Sequence, residues 1–172
     1  MMERDEVLMR WVRQEPATPN VQYLRDAERA SALDLLGDAS TVLDVASESN
    51  VTRSLPGESV VRVDFSTDAA AYAADLLGED LDDGVVVDPE SPSLPFADDA
   101  FDGAVSIGPF DWKFLDLDAV LAEVHRVVSE DGRFVFSVPT PRSPYALDRR
   151  NRSFEPADVD RLLSPDWSIA GY

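Results

Sequence analysis

Apolar positions recur along this chain with two different periods, and the switches between them mark its elements. Between residues 3 and 13, Val7, Leu8, Trp11 and Val12 fall at helical spacing. Pro16 and Pro19 end that helix. Residues 20–36 read as a second helix, with Asn20 as N-cap, Leu24, Ala27, Leu33 and Leu36 turned inward and Gly37 as C-cap. The pattern then changes to short apolar runs typical of strands, at 41–45, 59–65, 84–87, 101–107 and 133–138. Helical stretches separate them: a short one at 52–55, an alanine-rich one at 67–77 ended by Gly78, and an amphipathic one at 117–128 capped by Asp116 or Asp118. Asp131-Gly132 makes a turn into the fifth strand. A last helix is expected at 156–163, and a final strand at 167–172.

Strands alternating with helices imply an α/β fold: a Rossmann-like, doubly wound, mostly parallel sheet with helices on both faces. A chain of 172 residues accommodates one such domain. It divides into N-terminal helices (1–38), a core (39–138) and a C-terminal loop, helix and edge strand (139–172). In sheets of this kind ligands bind beyond the carboxyl ends of the strands, where strand order reverses. The segments to examine are therefore 46–50, 64–65, 88–90, 106–110 and 139 onward.

Charge narrows the partners. Acidic residues number 34 against 15 basic ones, a formal net charge of −19, and Lys113 is the only lysine. Such a surface repels nucleic acid and anionic membranes. Its self-repulsion is screened in molar salt, where the Debye length is about 3 Å, so the acidity reads as a halophile's solvated surface. No cysteine is present, and His125, the single histidine, belongs on a helix surface, so a metal site is not expected. No segment is apolar enough to span a membrane and the N-terminus lacks an apolar signal core; a cytoplasmic protein is expected.

The stretch Thr41–Asn50, TVLDVASESN, has the form of a nucleotide-binding turn, but Ala46, Glu48 and Asn50 stand where glycines allow close approach of backbone to ligand. Followed by VVRVDFS, LPFADDAFDGAVS and LAEVHRVVSEDGRFVFSVP, it resembles the class I S-adenosylmethionine-dependent methyltransferases, above all the methyltransferase type 11 group, over roughly residues 20–170. The resemblance implies strand order 3-2-1-4-5-7-6 and S-adenosylmethionine as cofactor. It places Asp44 in the strand before the cofactor loop, and Ala46, Ser47, Glu48 and Asn50 beneath the cofactor's methionine part. Asp64 would accept hydrogen bonds from both ribose hydroxyls, and Phe65 would pack on the adenine. Asp88 or Glu90 would reach the adenine amino group, and Ser106 and Ile107 would line the pocket floor.

Three features depart from that family. Ala46 adds one methyl, and Asn50 tolerates a left-handed backbone. Glu48 fills space meant for ligand; its charge attracts a sulfonium and repels a carboxylate. The Ser47 and Ser49 hydroxyls could replace lost donors. The chain also stops about where a sixth strand would run, which leaves out the last antiparallel strand. That suggests an unpaired sheet edge and with it a homodimer or protein partner. Finally, Arg142, Arg149, Arg150 and Arg152 cluster in the loop after the fifth strand, as suits phosphate or carboxylate recognition. Asp111 and Tyr145 are candidate bases, but no spacing selects a catalytic residue. Two readings follow: a methyltransferase acting on a small-molecule acceptor, or a non-catalytic binding protein of the same shape acting through its sheet edge or arginine loop.

Overall fold

The computed structural model describes residues 18–143, 146, 151–163 and 166–171. The helix expected at 3–13, with Trp11, lies outside them, as do Tyr145, Arg149 and Arg150. The elements in chain order are α1 (Pro19–Leu36), β1 (Thr41–Val45), α2 (Ser49–Thr52), β2 (Ser59–Asp64), α3 (Thr67–Leu77), β3 (Asp83–Val86), β4 (Phe101–Ile107), α4 (Leu117–Val127), β5 (Val128–Ser137) and α5 (Pro156–Leu163). Five strands form one sheet in the order β3-β2-β1-β4-β5, and every pairing is parallel. Order reverses between β1 and β4.

Side-chain alternation along the strands separates two apolar layers. Leu43, Val45 and Val63 face a cluster with Ala69, Ala73 and Leu77 of α3, Val120, Leu121 and Val124 of α4, and Val159 and Leu163 of α5. Val42, Val105 and Ile107 face the opposite way, against Ala32 and Leu36 of α1 and Val51 of α2. Helices thus cover both faces. Gly103 lets α1 come down on β4: a Cβ there would stand 2.7 Å from Leu36 Cδ1.

Local chemistry explains the element ends. Ser66 caps α3 by accepting from the Ala69 amide, Asp116 caps α4 by accepting from the Ala119 amide, and Gly37 closes α1 at φ 72°. Several expectations are corrected. Thr18, not Asn20, precedes α1, because Pro19 fits the first helical position. Leu24 and Ala27 are exposed. Only the C-terminal half of α1 packs on the sheet; its N-terminal half overhangs the carboxyl edge, where Arg25 meets Glu48. The short helix runs over 49–52 rather than 52–55. Strand β5 starts at Val128, and Asp131-Gly132 lies within its register shift against β4 rather than in a separate turn. No strand forms over 166–171; the Trp167 amide instead bonds to the Leu163 carbonyl and its ring packs on Phe134. Among the described residues β5 is therefore a sheet edge.

Candidate functional site

Strand β1 delivers its chain into the crevice between β1 and β4. Asp44 is its fourth residue, faces the α2 side and is fully buried. Its Oδ1 accepts from the Ser47 amide at 3.0 Å and its Oδ2 from the Thr52 hydroxyl at 2.5 Å. The carboxylate thus folds the loop back on itself. Ala46 makes the turn at φ 52°, a left-handed conformation that suits glycine. Asn50 does not share it: it is helical, within α2. The Ser47 hydroxyl accepts from the Ile107 amide at 2.9 Å, and the Ser106 hydroxyl donates to the Val45 carbonyl at 2.8 Å. Ser47 and Ser106 are wholly buried and stitch β1 to β4.

The centre of the site is a residue that the motif reading passed over. Arg62 lies in β2, registered against Asp44 and two residues before Asp64, so all three side chains share one face. Its Nη1 donates to Asp44 Oδ2 at 2.8 Å, to the Ser47 carbonyl at 2.8 Å and to the Thr52 hydroxyl at 2.9 Å. Its Nε and Nη2 hold Asp64 Oδ2 and Oδ1 at 2.8 and 3.0 Å, a bidentate fork. Burial works against the guanidinium charge, but the two carboxylates outweigh it and raise its pKa further. Arg62 therefore stays charged. The sequence signal was its parity: an arginine in the buried register of the run SVVRVD.

Glu48 follows the turn. Its amide donates to the Ile107 carbonyl at 3.3 Å, which fixes it between the ends of β1 and β4. The side chain is buried, with Oε1 3.4 Å from Asn50 Nδ2 and 3.8 Å from Arg25 Nη1 of α1. Burial raises its carboxyl above the ordinary glutamate range; Arg25 and Asn50 partly offset this. Glu28 is raised for the same reason, by burial and then by the Glu48 charge. Arg25 was missed because nothing in a helical arginine signals which loop it meets.

The other expected residues lie outside this hydrogen-bonded cluster. Phe65 is buried in the α3–α4 layer. Asp88 is exposed; its Oδ1 accepts from the Glu90 amide at 2.9 Å, a turn contact. Asp111 is buried beside Trp112, and its carbonyl accepts from the Arg152 amide. In the arginine loop Arg142 is exposed, whereas Arg152 donates to the Leu115 carbonyl at 2.8 Å and ties the loop down. A cavity of about 450 Å³ adjoins it, lined by Lys113, Phe114, Leu117, Arg152 and Phe154 among others. His125 is exposed and meets the Asp166 carbonyl at 3.0 Å.

Two motifs prove to be scaffolding. Arg126 donates to the Leu94 and Phe96 carbonyls, to Asp98 and to Glu123, and so holds the LPF segment against α4. Asp102 accepts from Ser40 and Thr41 amides and from the Thr41 hydroxyl, at the amino ends of β1 and β4. Among the described residues no cluster of histidine and acidic side chains fits a metal ion, and no helix is long and apolar enough to cross a membrane.

The comparisons with known proteins agree with this architecture. The chain is similar to the malonyl-[acyl-carrier protein] O-methyltransferase of Geobacter sulfurreducens, 35% identical over 83 residues, which are 48% of this chain and 30% of that enzyme. The match thus spans less than a third of the relative's length. Among solved structures it is similar to a chain in the Haloferax volcanii complex of the Trm112 methyltransferase activator with a methyltransferase: TM-score 0.68, 20% identity, 86% of this chain and 70% of that one. It is also similar to geranyl diphosphate C-methyltransferase of Streptomyces coelicolor in complex with Mg2+, geranyl diphosphate and S-adenosyl-L-homocysteine: TM-score 0.64, 18% identity, 84% of this chain and 62% of that one. At these identities the structures speak for the fold alone. The model of a methyltransferase domain matches residues 43–136, more than half of the chain, from within β1 through most of β5, so the chain belongs to the methyltransferase domain family.

Proposed function

We propose that this protein is an S-adenosylmethionine-dependent methyltransferase acting on a small-molecule acceptor. One observation supports this reading above the others: the carboxyl ends of β1, β2 and β4 gather Asp44, Ala46, Glu48 and Asp64 around the point where strand order reverses. Asp64 is held by Arg62 through one lone pair on each oxygen. Each oxygen keeps a second lone pair for a ribose hydroxyl. The loop of residues 46–50 would lie under the methionine part, and Phe65 and Asp88 beside the adenine. When bound, S-adenosylmethionine supplies an electrophilic methyl on a sulfonium. The task of the chain is to position an acceptor in line with it. No side chain is assigned as base.

The fit of the cofactor is tested by calorimetric titration with S-adenosylmethionine in molar KCl. Saturable heat supports the reading; a folded protein that gives none overturns it. The second reading, a binding protein of methyltransferase shape, is favoured by the uncovered edge of β5 among the described residues. It predicts self-association or partner capture through that edge without cofactor binding. Sedimentation of wild type against a variant with proline at Val135 separates an edge-paired dimer from a monomer.

A further inference from the structure

Asp64 ends β2 where the crevice opens, yet its carboxylate is already engaged. Arg62 Nε donates to Oδ2 at 2.8 Å and Nη2 to Oδ1 at 3.0 Å. Two parallel donors of one guanidinium take the two lone pairs that point forward side by side, one on each oxygen. Trigonal geometry at oxygen then directs the remaining two: they point outward and back, away from each other. Arg62 cannot readily yield its place. It is fully buried, and its Nη1 is committed to Asp44, the Ser47 carbonyl and Thr52. Turning Asp64 away would leave one edge of a buried guanidinium without its carboxylate, a costly loss. The Asp64 side chain is moreover only 5% exposed, so little of it is open to a ligand.

We infer that Arg62 is a specificity-determining residue: by filling the forward edge of the Asp64 carboxylate it limits Asp64 to one ribose hydroxyl. This rests on the S-adenosylmethionine reading above and departs from the two-hydroxyl grip that the family resemblance implies. The hydroxyls of a ribose sit on adjacent carbons and on the same side of the ring. A carboxylate receives both along its forward edge, where its oxygens present parallel lone pairs. With that edge filled by Arg62, a diol meets the flank of a single oxygen, and the other oxygen's free lone pair points away from it. Asp44, the other carboxylate on this face, does not take the second hydroxyl: it is fully buried and engaged by Arg62, Thr52 and the Ser47 amide. Arg62 thus acts as a positioning residue, since it decides which lone pair of Asp64 a ligand finds. The consequence is relaxed specificity, with one ribose hydroxyl required and the other dispensable.

The test titrates the full chain in molar KCl with S-adenosylhomocysteine and its 2′-deoxy and 3′-deoxy analogues, read by calorimetry. In wild type one deletion should weaken binding about tenfold or more, the worth of a hydrogen bond to a charged group, and the other by less than about threefold. Arg62→Lys keeps a charge but has no fork, so the two penalties should converge. In Asp64→Asn the larger penalty should shrink toward the smaller one. Circular dichroism confirms the fold of each variant, and the wild-type ratio decides the matter where a variant fails to fold. Two deletions of equal cost in wild type, both large or both small, would overturn the inference while leaving the cofactor reading intact. An asymmetry that persists at full size in a folded variant would overturn it too, by showing that another group reads the hydroxyl. If folded wild type binds none of the three ligands, both readings fall.

Discussion

Replacing Arg62 by methionine is the sharpest test of how this site is built. Methionine has similar reach and no charge. It would remove five hydrogen bonds at once: two to Asp64 and one each to Asp44, Ser47 and Thr52. Two carboxylates would then be buried without a cation. Breaking a buried pair in this way costs about 3–5 kcal/mol, a large part of the roughly 5–15 kcal/mol that holds a domain together. The number of lost bonds does not scale the figure upward, since contacts in one network are not additive. The assay is urea unfolding in molar KCl, with the midpoint compared at constant slope. The triple variant Asp44→Asn, Arg62→Met, Asp64→Asn removes all three charges, and should cost less than the single change despite altering more residues. Arg62 is 1% exposed, so the deficit of the single variant should barely change between low and high salt. A loss under about 1 kcal/mol, or a triple variant worse than the single one, would refute the view that charge balance governs this cluster.

Other outcomes follow from the same geometry. Ala46→Gly should leave stability unchanged or raise it by up to about 1 kcal/mol, because relief of the left-handed turn offsets the added chain entropy and the lost methyl; Ala46→Val should cost about 2 kcal/mol or more, both by thermal or urea unfolding. Glu48 is raised by burial, so its contribution is fully present below the ordinary glutamate pKa and lost as pH rises through the folded one. Glu48→Gln should therefore be more stable than wild type at pH 7, and the gap should close toward pH 4. Glu123 is lowered chiefly by its hydrogen bonds from Arg126, although burial works the other way. Its contribution is present above the ordinary value and lost as pH falls through the folded one. Arg126→Gln should cost about 1–2 kcal/mol at pH 7, discounted for partial exposure, with a smaller deficit in acid. With a net charge of −19, the unfolding midpoint should rise between low and molar KCl.

The elements were legible where local chemistry decides them. β1, α3, β4 and α5 have the ends that Gly78 and the apolar runs announce. Misreadings arose where tertiary contact overrides pattern. Leu24 has a helical partner spacing but no sheet beneath it, because α1 overhangs the carboxyl edge. The start of β5 was displaced because its pairing with Phe101 recruits Val128 ahead of the turn-like Asp131-Gly132. The site was half legible. Asp44, Glu48 and Asp64 were singled out because strand ends are where such folds bind. Arg62 was not, since a charged residue inside a strand looks like a solvent-facing position until the register shows what lies opposite.

Arg62 and Glu48 are two answers to one problem, a charge buried at a strand end. The Arg62 cluster leaves one excess negative charge, but every polar group in it is engaged, so it fixes Asp44, Thr52 and Asp64 as one rigid unit. Glu48 is the opposite: its raised pKa marks a charge that weakens the fold at neutral pH. A chain selected for stability alone would replace such a residue, since glutamine there retains the contact with Asn50 and sheds the desolvation cost. Residues that lower stability persist where a ligand needs them. The rigid cluster thus holds the Asp64 carboxylate still, whatever the state of Glu48. A Glu48→Gln protein no more stable than wild type at pH 7 would refute the view that burial of this charge weakens the fold.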